Sequence, residues 1–252
     1  MKNLYGVTKG ILQRVEAQTG KGIEFMADDK MQILATLQIA RNGADFHILR
    51  YKPSQQPLDY FIAFSAGFVL RLFENEPDKR FDFASQAQAE KGAEQLIATG
   101  QALSEQDRMA LPQFSSFMAQ WALMNLRSLP VGMRIDQWIA KDFPELKELQ
   151  RSGLAIQQQQ NMAALTYQLG KLTVPVVLMG KIAAYALFVD RLLGTDRYAI
   201  PFQAAGALDH GRELLRIWDE TPSDSGHDCE LVDRWANACG MSNWYQWIPY
   251  QA

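Results

Sequence analysis

The residue types that most often carry catalysis or bind metals are few in this sequence of 252 residues. There are three histidines, His47, His210 and His227, and two cysteines, Cys229 and Cys239. A zinc site built from protein side chains needs three or four such ligands, or carboxylates, at suitable spacing. Any histidine and cysteine metal site must therefore draw on very few residues.

The C-terminal cluster His227-Asp228-Cys229 is the best candidate for a metal site among them. Cys239 follows ten residues later, which matches no standard zinc motif, and the sequence supplies no fourth ligand. Just before the cluster lies Asp224, a residue type that accepts hydrogen bonds from free amides at a helix start. We therefore predict a loop and helix cap here, and no metal site.

A second candidate is nucleophilic catalysis by Ser65. Ala63-Phe64-Ser65-Ala66-Gly67 differs by one residue from Gly-x-Ser-x-Gly, the nucleophile elbow of α/β-hydrolases. It requires a strand over Tyr60 to Phe64 and a helix from Gly67, with His210 or His227 as the base. Against it, the alanine Cβ crowds the sharp turn, and the alternating strand–helix pattern of a parallel sheet is missing. A serine hydrolase using Ser65 is kept as the alternative.

The same residues belong to a longer pattern. The strand-like Phe46-His47-Ile48-Leu49-Arg50-Tyr51 is followed by a Pro-containing loop and then by the apolar run 58–71, which ends in Val69-Leu70-Arg71. This segment resembles the edge strand and active helix of the zincin metallopeptidases, whose helix reads His-Glu-x-x-His, often within Ile-Ala-His-Glu-x-Gly-His-x-Leu-Arg. Histidines at i and i+4 face the same way and bind zinc, while the glutamate polarises the attacking water.

The three chemical residues of that motif are replaced in this chain. Phe64 and Phe68 stand at the two histidine positions, and Ser65 stands at the glutamate position. Phenylalanine cannot bind zinc, and serine is a poor substitute for a carboxylate base near pH 7. The resemblance therefore implies a catalytically inactive, metal-free zincin-like protein, a pseudoenzyme with no catalytic residue and no cofactor.

The resemblance also implies how such a protein would act. Its former site is either packed core, the simpler reading, or an apolar groove that still binds an extended peptide along the edge strand. In the second reading His47 and Arg50 of that strand line the groove. We expect the partner to be a protein or a peptide.

The elements that position these residues follow from hydrophobic periodicity. Residues 5–19 have apolar side chains at helical spacing, and Gly20 ends that helix. Three β-like runs follow, at 23–26, 34–40 and 45–51, the last two separated by Asn42-Gly43, a strong hairpin signal. The pattern predicts a three-stranded antiparallel sheet, packed on the buried zincin-like helix that begins at Leu58.

Almost everything after Leu58 reads as helix. The predicted helices cover 58–73, 85–103, 112–128, 135–139, 145–172, 181–193, 204–218 and 229–239. No linker divides the chain, so we predict a single α+β domain over 1–252. It consists of a zincin-like helix–sheet–helix unit at 1–75 and a helical portion at 76–252. The aromatic C-terminal segment 244–250 is expected to clamp onto the helices.

Composition limits the function classes. Lys and Arg number 25 against 28 Asp and Glu, a formal charge of -3, so no basic excess favours nucleic acid. The apolar runs 60–73 and 172–189 are too short or too interrupted to span a membrane. With two cysteines and no apolar signal segment, the sequence predicts a soluble, cytoplasmic protein.

Overall fold

The computed structural model describes residues 4–31, 35–53, 57–99 and 102–251. The protein is 65% helical and 12% strand, which confirms the predicted α+β fold class with a large helical portion. Nine α-helices lie within the described residues: α1 Gly6–Thr19, α2 Leu58–Glu74, α3 Gln88–Ala98, α4 Glu105–Asp142, α5 Lys147–Met162, α6 Val176–Leu193, α7 Ile200–Ala204, α8 Leu208–Glu220 and α9 Asp228–Ala238. The same residues form seven strands: β1 Gly22–Ala27, β2 Ala35–Gln38, β3 Phe46–Tyr51, β4 Phe81–Ser85, β5 Gln168–Leu169, β6 Leu172–Thr173 and β7 Tyr245–Pro249.

The chain folds into two compact units. The first unit comprises Met1–Asp82, Arg134–Ile156 and Pro249–Ala252, and the second comprises Phe83–Met133 and Gln157–Ile248. The first unit thus contains the helix–sheet–helix segment predicted at 1–75, together with the end of α4 and the beginning of α5. The second unit contains most of the helical portion.

The three-stranded sheet of the first unit has the order β1-β3-β2. β2 runs antiparallel to β3, but β1 runs parallel to it, with Gly22 opposite Phe46. The prediction of a wholly antiparallel sheet with β3 at its edge is therefore wrong. Of the three strands, β3 alone has fully buried side chains, those of His47, Leu49 and Tyr51. The central position, bonded on both sides, suits the strand that buries the most apolar surface.

The predicted Asn42-Gly43 turn is present between β2 and β3. Both residues have positive φ, 55° and 77°. The Ala44 N–H donates to the Arg41 carbonyl oxygen at 3.1 Å and closes the turn. Positive φ at both central residues is the signature of a type I′ turn. The strands end several residues before and after it, so the loop is longer than a two-residue hairpin.

Three of the helices predicted after residue 110 differ from those observed. The separate helices predicted at 112–128 and 135–139 are one helix, α4, which accommodates both Pro112 and Pro130. A long helix with a packed apolar face compensates for the hydrogen bond that each proline removes. The helix predicted over 145–172 instead ends at Met162. The hairpin β5–β6 follows, with Gly170 at its turn in a left-handed conformation, φ 62°.

Close contacts at glycines hold the second unit together. A Cβ on Gly180 of α6 would lie 2.6 Å from the His210 Cβ of α8, and a Cβ on Gly211 would meet that of Ala183 at 2.8 Å. The two helices can approach this closely only because neither glycine has a side chain.

Two of the C-terminal aromatic residues, Trp244 and Tyr245, pack within the second unit. Trp244 is buried and its indole nitrogen would lie 2.3 Å from a Cβ on Gly92 of α3. The Tyr245 ring stacks on that of Phe83, with 4.4 Å between centroids.

Candidate functional site

The candidate site lies on α2, which carries Phe64, Ser65 and Phe68, the three positions that the predicted resemblance to zincins singles out. Phe64 and Phe68 are half-buried, and Ser65 is buried. The two phenylalanine rings lie one turn apart in an edge contact, with 5.4 Å between centroids. The Tyr60 ring, one turn earlier, is 5.9 Å from that of Phe64. α2 therefore carries a column of three aromatic rings at positions i, i+4 and i+8.

Two glycines bring neighbouring helices close to this aromatic column. A Cβ on Gly67 would lie 2.5 Å from Cγ2 of Ile135 in α4. A Cβ on Gly153 of α5 would lie 2.3 Å from the Tyr60 ring. These approaches place the end of α4 and the beginning of α5 against α2, and they fix the column in position.

A buried polar network lies at the Tyr60 end of the column. The Tyr60 hydroxyl donates to Oδ1 of Asp136 at 2.8 Å. Gln150 Nε2 donates to the Asp136 carbonyl oxygen at 2.8 Å and to its Oδ1 at 3.2 Å. Asp136 is fully buried, and these donors stabilise its carboxyl group. The sequence prediction missed this residue, although an acidic side chain in the apolar stretch 131–140 is a recognisable signal.

Ser65 has none of the geometry of a nucleophile elbow. Tyr60 to Phe64 and Gly67 all belong to the continuous helix α2, so the strand–turn–helix that the hydrolase alternative requires is not formed. Ser65 is 7% exposed in the middle of that helix. The turn that would present its hydroxyl to a substrate is therefore lacking.

His47 lies on the buried face of β3. Its Nδ1 accepts a hydrogen bond from the Ala40 N–H at 3.0 Å, and its ring meets that of Phe73 of α2 edge to face, with 6.0 Å between centroids. Burial, and then the positive charge of Lys21, lowers the pKa of His47 to about 4. The imidazole is therefore neutral at pH 7, with its proton on Nε2, because Nδ1 is the acceptor.

Arg50 lies on the opposite face of β3 and is exposed. Side chains alternate along a strand, so His47 and Arg50 point away from each other. β3 is also paired on both sides, by β1 and β2. The predicted groove, lined by both residues along a free edge of this strand, is not formed.

The C-terminal cluster forms the predicted cap. Asp224 accepts a hydrogen bond from the Gly226 N–H at 3.1 Å, and its carboxylate contacts Nδ1 of His227 at 2.8 Å. Burial, followed by the charges of two nearby aspartates, raises the pKa of the Cys229 thiol to about 12. Among the residues that the structure describes, no group of three or more His, Cys, Asp or Glu side chains is arranged to hold a metal ion.

Lys181 of α6 is a second buried polar residue that the sequence prediction did not assign a role. Its side chain is 0% exposed, its Nζ lies 3.4 Å from Sδ of Met241, and the Trp121 ring centroid is 5.9 Å away. In the described part of the chain no carboxylate forms an ion pair with it. Burial lowers the pKa of Lys181, partly offset by the nearby Cys239. The sequence feature that could have revealed this residue is a single lysine within the apolar run 172–189.

Comparison with known proteins adds no relative. No family model, no curated protein and no solved structure matches the chain. Within the described ranges, no helix is both long and apolar enough to cross a lipid bilayer. The functional conclusion therefore depends on the residues of the candidate site.

Proposed function

We propose that this chain is a metal-free, zincin-like pseudoenzyme that binds another protein or peptide without hydrolysing it. The observation that carries the proposal is the pair Phe64 and Phe68, whose rings contact each other one turn apart on α2. The zincin motif has its two histidines at these positions and its glutamate at Ser65. A phenyl ring offers no lone pair to zinc, and a buried hydroxyl is too weak a base to activate water near pH 7.

The surroundings of the pair support a zincin-like origin. The chain passes from a helix through a small sheet to α2, and α2 packs on the buried face of that sheet through Phe73 and His47. Gly67, at the glycine position inside the motif, permits the close contact with Ile135. The residues around the motif thus have a packing role that does not depend on metal ligands at positions 64 and 68.

Restoring the motif tests this origin. The triple variant Phe64→His, Ser65→Glu, Phe68→His is expected to bind one zinc ion per chain, whereas the unmodified protein binds none. Equilibrium dialysis followed by elemental analysis measures the stoichiometry, and competition with a chelator measures the affinity. Since a buried glutamate disfavours folding, the double variant Phe64→His, Phe68→His is measured in parallel.

A matched control separates a restored site from an ordinary histidine pair. Lys91 and Gln95 are exposed at i and i+4 on α3, so Lys91→His with Gln95→His creates a pair of the same spacing outside the motif. The α2 variants should bind zinc at least tenfold more tightly than this control. Equal affinities, or stoichiometric zinc at α2 of the unmodified protein, would contradict the proposal.

The strand that offers an edge for peptide binding is β1, because β3 is paired on both sides. β1 lies at one edge of the sheet, and among the described residues no strand pairs with its outer side. It contains no proline or lysine, the residues that usually block edge pairing, and its Met26 is 41% exposed. An extended peptide could add to this edge through main-chain hydrogen bonds, as in other cases of strand addition.

Selection of peptides from a random displayed library tests the binding mode. Peptides that bind should slow amide hydrogen exchange within Gly22–Ala27, because main-chain pairing protects the outward N–H groups. Met26→Lys should weaken binding at least fivefold, while Met109→Lys, an exposed methionine of the second unit, should leave it unchanged. Protection confined to another element would contradict binding at β1.

A further inference from the structure

An exposed stripe runs along α4 in the second unit. Residues three or four positions apart share one face of a helix, and every member of this stripe is exposed. It consists of Met109, Gln113, Phe117, Gln120 and Met124. The methionines are 80% and 53% exposed and the phenylalanine 45%, which is unusual for large apolar side chains. The stripe therefore has the character of a contact surface without its partner.

The hairpin β5–β6 widens this stripe. The Tyr167 ring lies 4.9 Å from that of Phe117, and the Lys171 N–H donates to Oδ1 of Asp107 at 3.1 Å. The hairpin therefore runs beside α4 from Phe117 back towards its first turn. Tyr167 and Leu169 are each 42% exposed, so they extend the apolar surface sideways.

The order of residues in the stripe is the same in both directions. Methionine, glutamine, phenylalanine, glutamine and methionine follow one another, and Phe117 is eight residues after Met109 and seven before Met124. Charges of opposite sign flank the stripe, Glu105 before it and Arg127 after it. When two copies of this helix face lie antiparallel, each methionine and glutamine lies opposite a residue of its own type. The opposite charges then lie close together at both ends of the contact.

We propose that α4 pairs with α4 of a second copy of this chain, antiparallel about a two-fold axis near Phe117. In this register Met109 lies opposite Met124 of the second copy, and Glu105 lies near its Arg127. Isologous contacts of this kind are the commonest in homodimers. The contact would be about 33 Å long at a rise of about 1.5 Å per residue. One helix face and a hairpin fall below the usual interface size, so we expect a weak dimer.

Sedimentation equilibrium of the full chain tests the dimer. The average mass is expected to rise from that of a monomer towards twice that value as concentration increases from low to several hundred micromolar. Phe117→Glu places like charges at the axis and should raise the dissociation constant at least tenfold. Ile200→Glu, at a 58% exposed position of α7, is the matched control and should leave association unchanged. A monomer mass at every concentration, or equal association of both variants, would overturn the proposal.

Charge exchange tests the antiparallel register. Glu105→Arg alone and Arg127→Glu alone should each weaken association, because each places like charges together across the axis. The double variant with both substitutions should restore it, since the opposite charges again face each other. Failure of the double variant to recover at least half of the lost association would rule out this register.

Discussion

At the scale of single residues, Lys181 is in surroundings that disfavour its ordinary charge. A thioether, an indole and a thiol surround its amino group, and none of them compensates for the hydration that an ammonium ion loses on burial. Burial therefore lowers the pKa of Lys181 and weakens its hold on a proton in the folded protein. The unfolded chain, in contrast, binds a proton at this residue up to its ordinary pKa of 10.5.

Replacing this lysine should stabilise the protein. Lys181→Met keeps a long unbranched side chain and removes the buried polar group, so the free energy of unfolding at pH 7 should rise by about 1–3 kcal/mol. The native protein should also gain stability as pH rises towards 10, because the unfolded state holds a proton on Lys181 that folding tends to release, and this release becomes more favourable at higher pH. Urea unfolding between pH 7 and 10 measures both effects. Lys171→Met, at an exposed position, should reproduce neither, and an equal pH slope in the Lys181 variant would contradict this account.

His47 predicts a loss of stability in acid. Its pKa is lowered from 6.5 to about 4, so below pH 6.5 the unfolded state binds a proton that the folded state does not. The free energy of unfolding should fall between pH 6.5 and 4, by at most about 3 kcal/mol from this residue. His47→Asn retains an acceptor for the Ala40 N–H and should flatten that fall. His210→Asn, at an exposed position of α8, serves as the control, and an unchanged acid profile for the His47 variant would refute the prediction.

The position of some site residues could be predicted from the sequence, and that of others could not, for identifiable reasons. Phe64, Ser65 and Phe68 lie on one helix, as predicted, because the run that contains them is apolar almost all round. His47 and Arg50 are three positions apart on a strand, and this odd spacing already placed them on opposite faces. The roles of Asp136 and Lys181 depend on contacts with residues distant in sequence, which no local pattern reveals.

At the scale of elements, the sequence predicts the existence of strands and helices better than their pairing. The Asn42-Gly43 turn was recognisable because its two residue types accept positive φ. The parallel pairing of β1 with β3 arises because β3, and not β2, takes the central position of the sheet. No residue pattern in the strands themselves decides between these two orders. The hairpin β5–β6 is held by Asp107, whose carboxylate accepts from Lys171 and from Ser104, and so its stability comes from outside its own sequence.

The packing of α2 on α4 yields a prediction for Gly67. In Gly67→Ala the new Cβ would lie 2.5 Å from Cγ2 of Ile135, so the variant should lose about 1–3 kcal/mol despite the better helix propensity of alanine. Gly10→Ala in α1 is the matched control, because a Cβ there meets nothing within 4 Å. That variant should gain about 0.5–1 kcal/mol. Chemical denaturation measures both, and adding Ile135→Val should recover part of the loss at Gly67.

At the scale of the whole molecule, the fold class was predictable from the sequence. The chain segments that make up each of the two units were not. The first unit combines segments from the beginning, middle and end of the described chain. Within this unit, the Tyr250 hydroxyl donates to the Ala40 carbonyl oxygen, and the Tyr250 N–H donates to the Arg80 carbonyl oxygen at 2.9 Å. The sequence predicts that the segment 244–250 clamps onto the helices. Tyr250 packs on Phe73 of α2 within the first unit, with 5.6 Å between the ring centroids.

Tyr250→Ala should therefore destabilise the first unit. The variant loses a half-buried ring 5.6 Å from that of Phe73 and the donor to Ala40, which together should cost about 1–3 kcal/mol. Amide exchange should accelerate in β3 and α2. Gln251→Ala is the control, since that residue contributes its backbone carbonyl to Asn42 and its side chain is exposed. Unchanged exchange in the Tyr250 variant would show that the C-terminal segment is dispensable for this unit.

The bond between Tyr250 and Ala40 also has a consequence during translation. The two residues are separated by 210 positions. At about 5–20 residues per second, a ribosome needs roughly 10–40 s to add the tyrosine after the alanine. For that interval the nascent sheet and α2 lack a contact that they have in the mature protein. Co-translational chaperones would therefore meet this protein with its first unit unfinished.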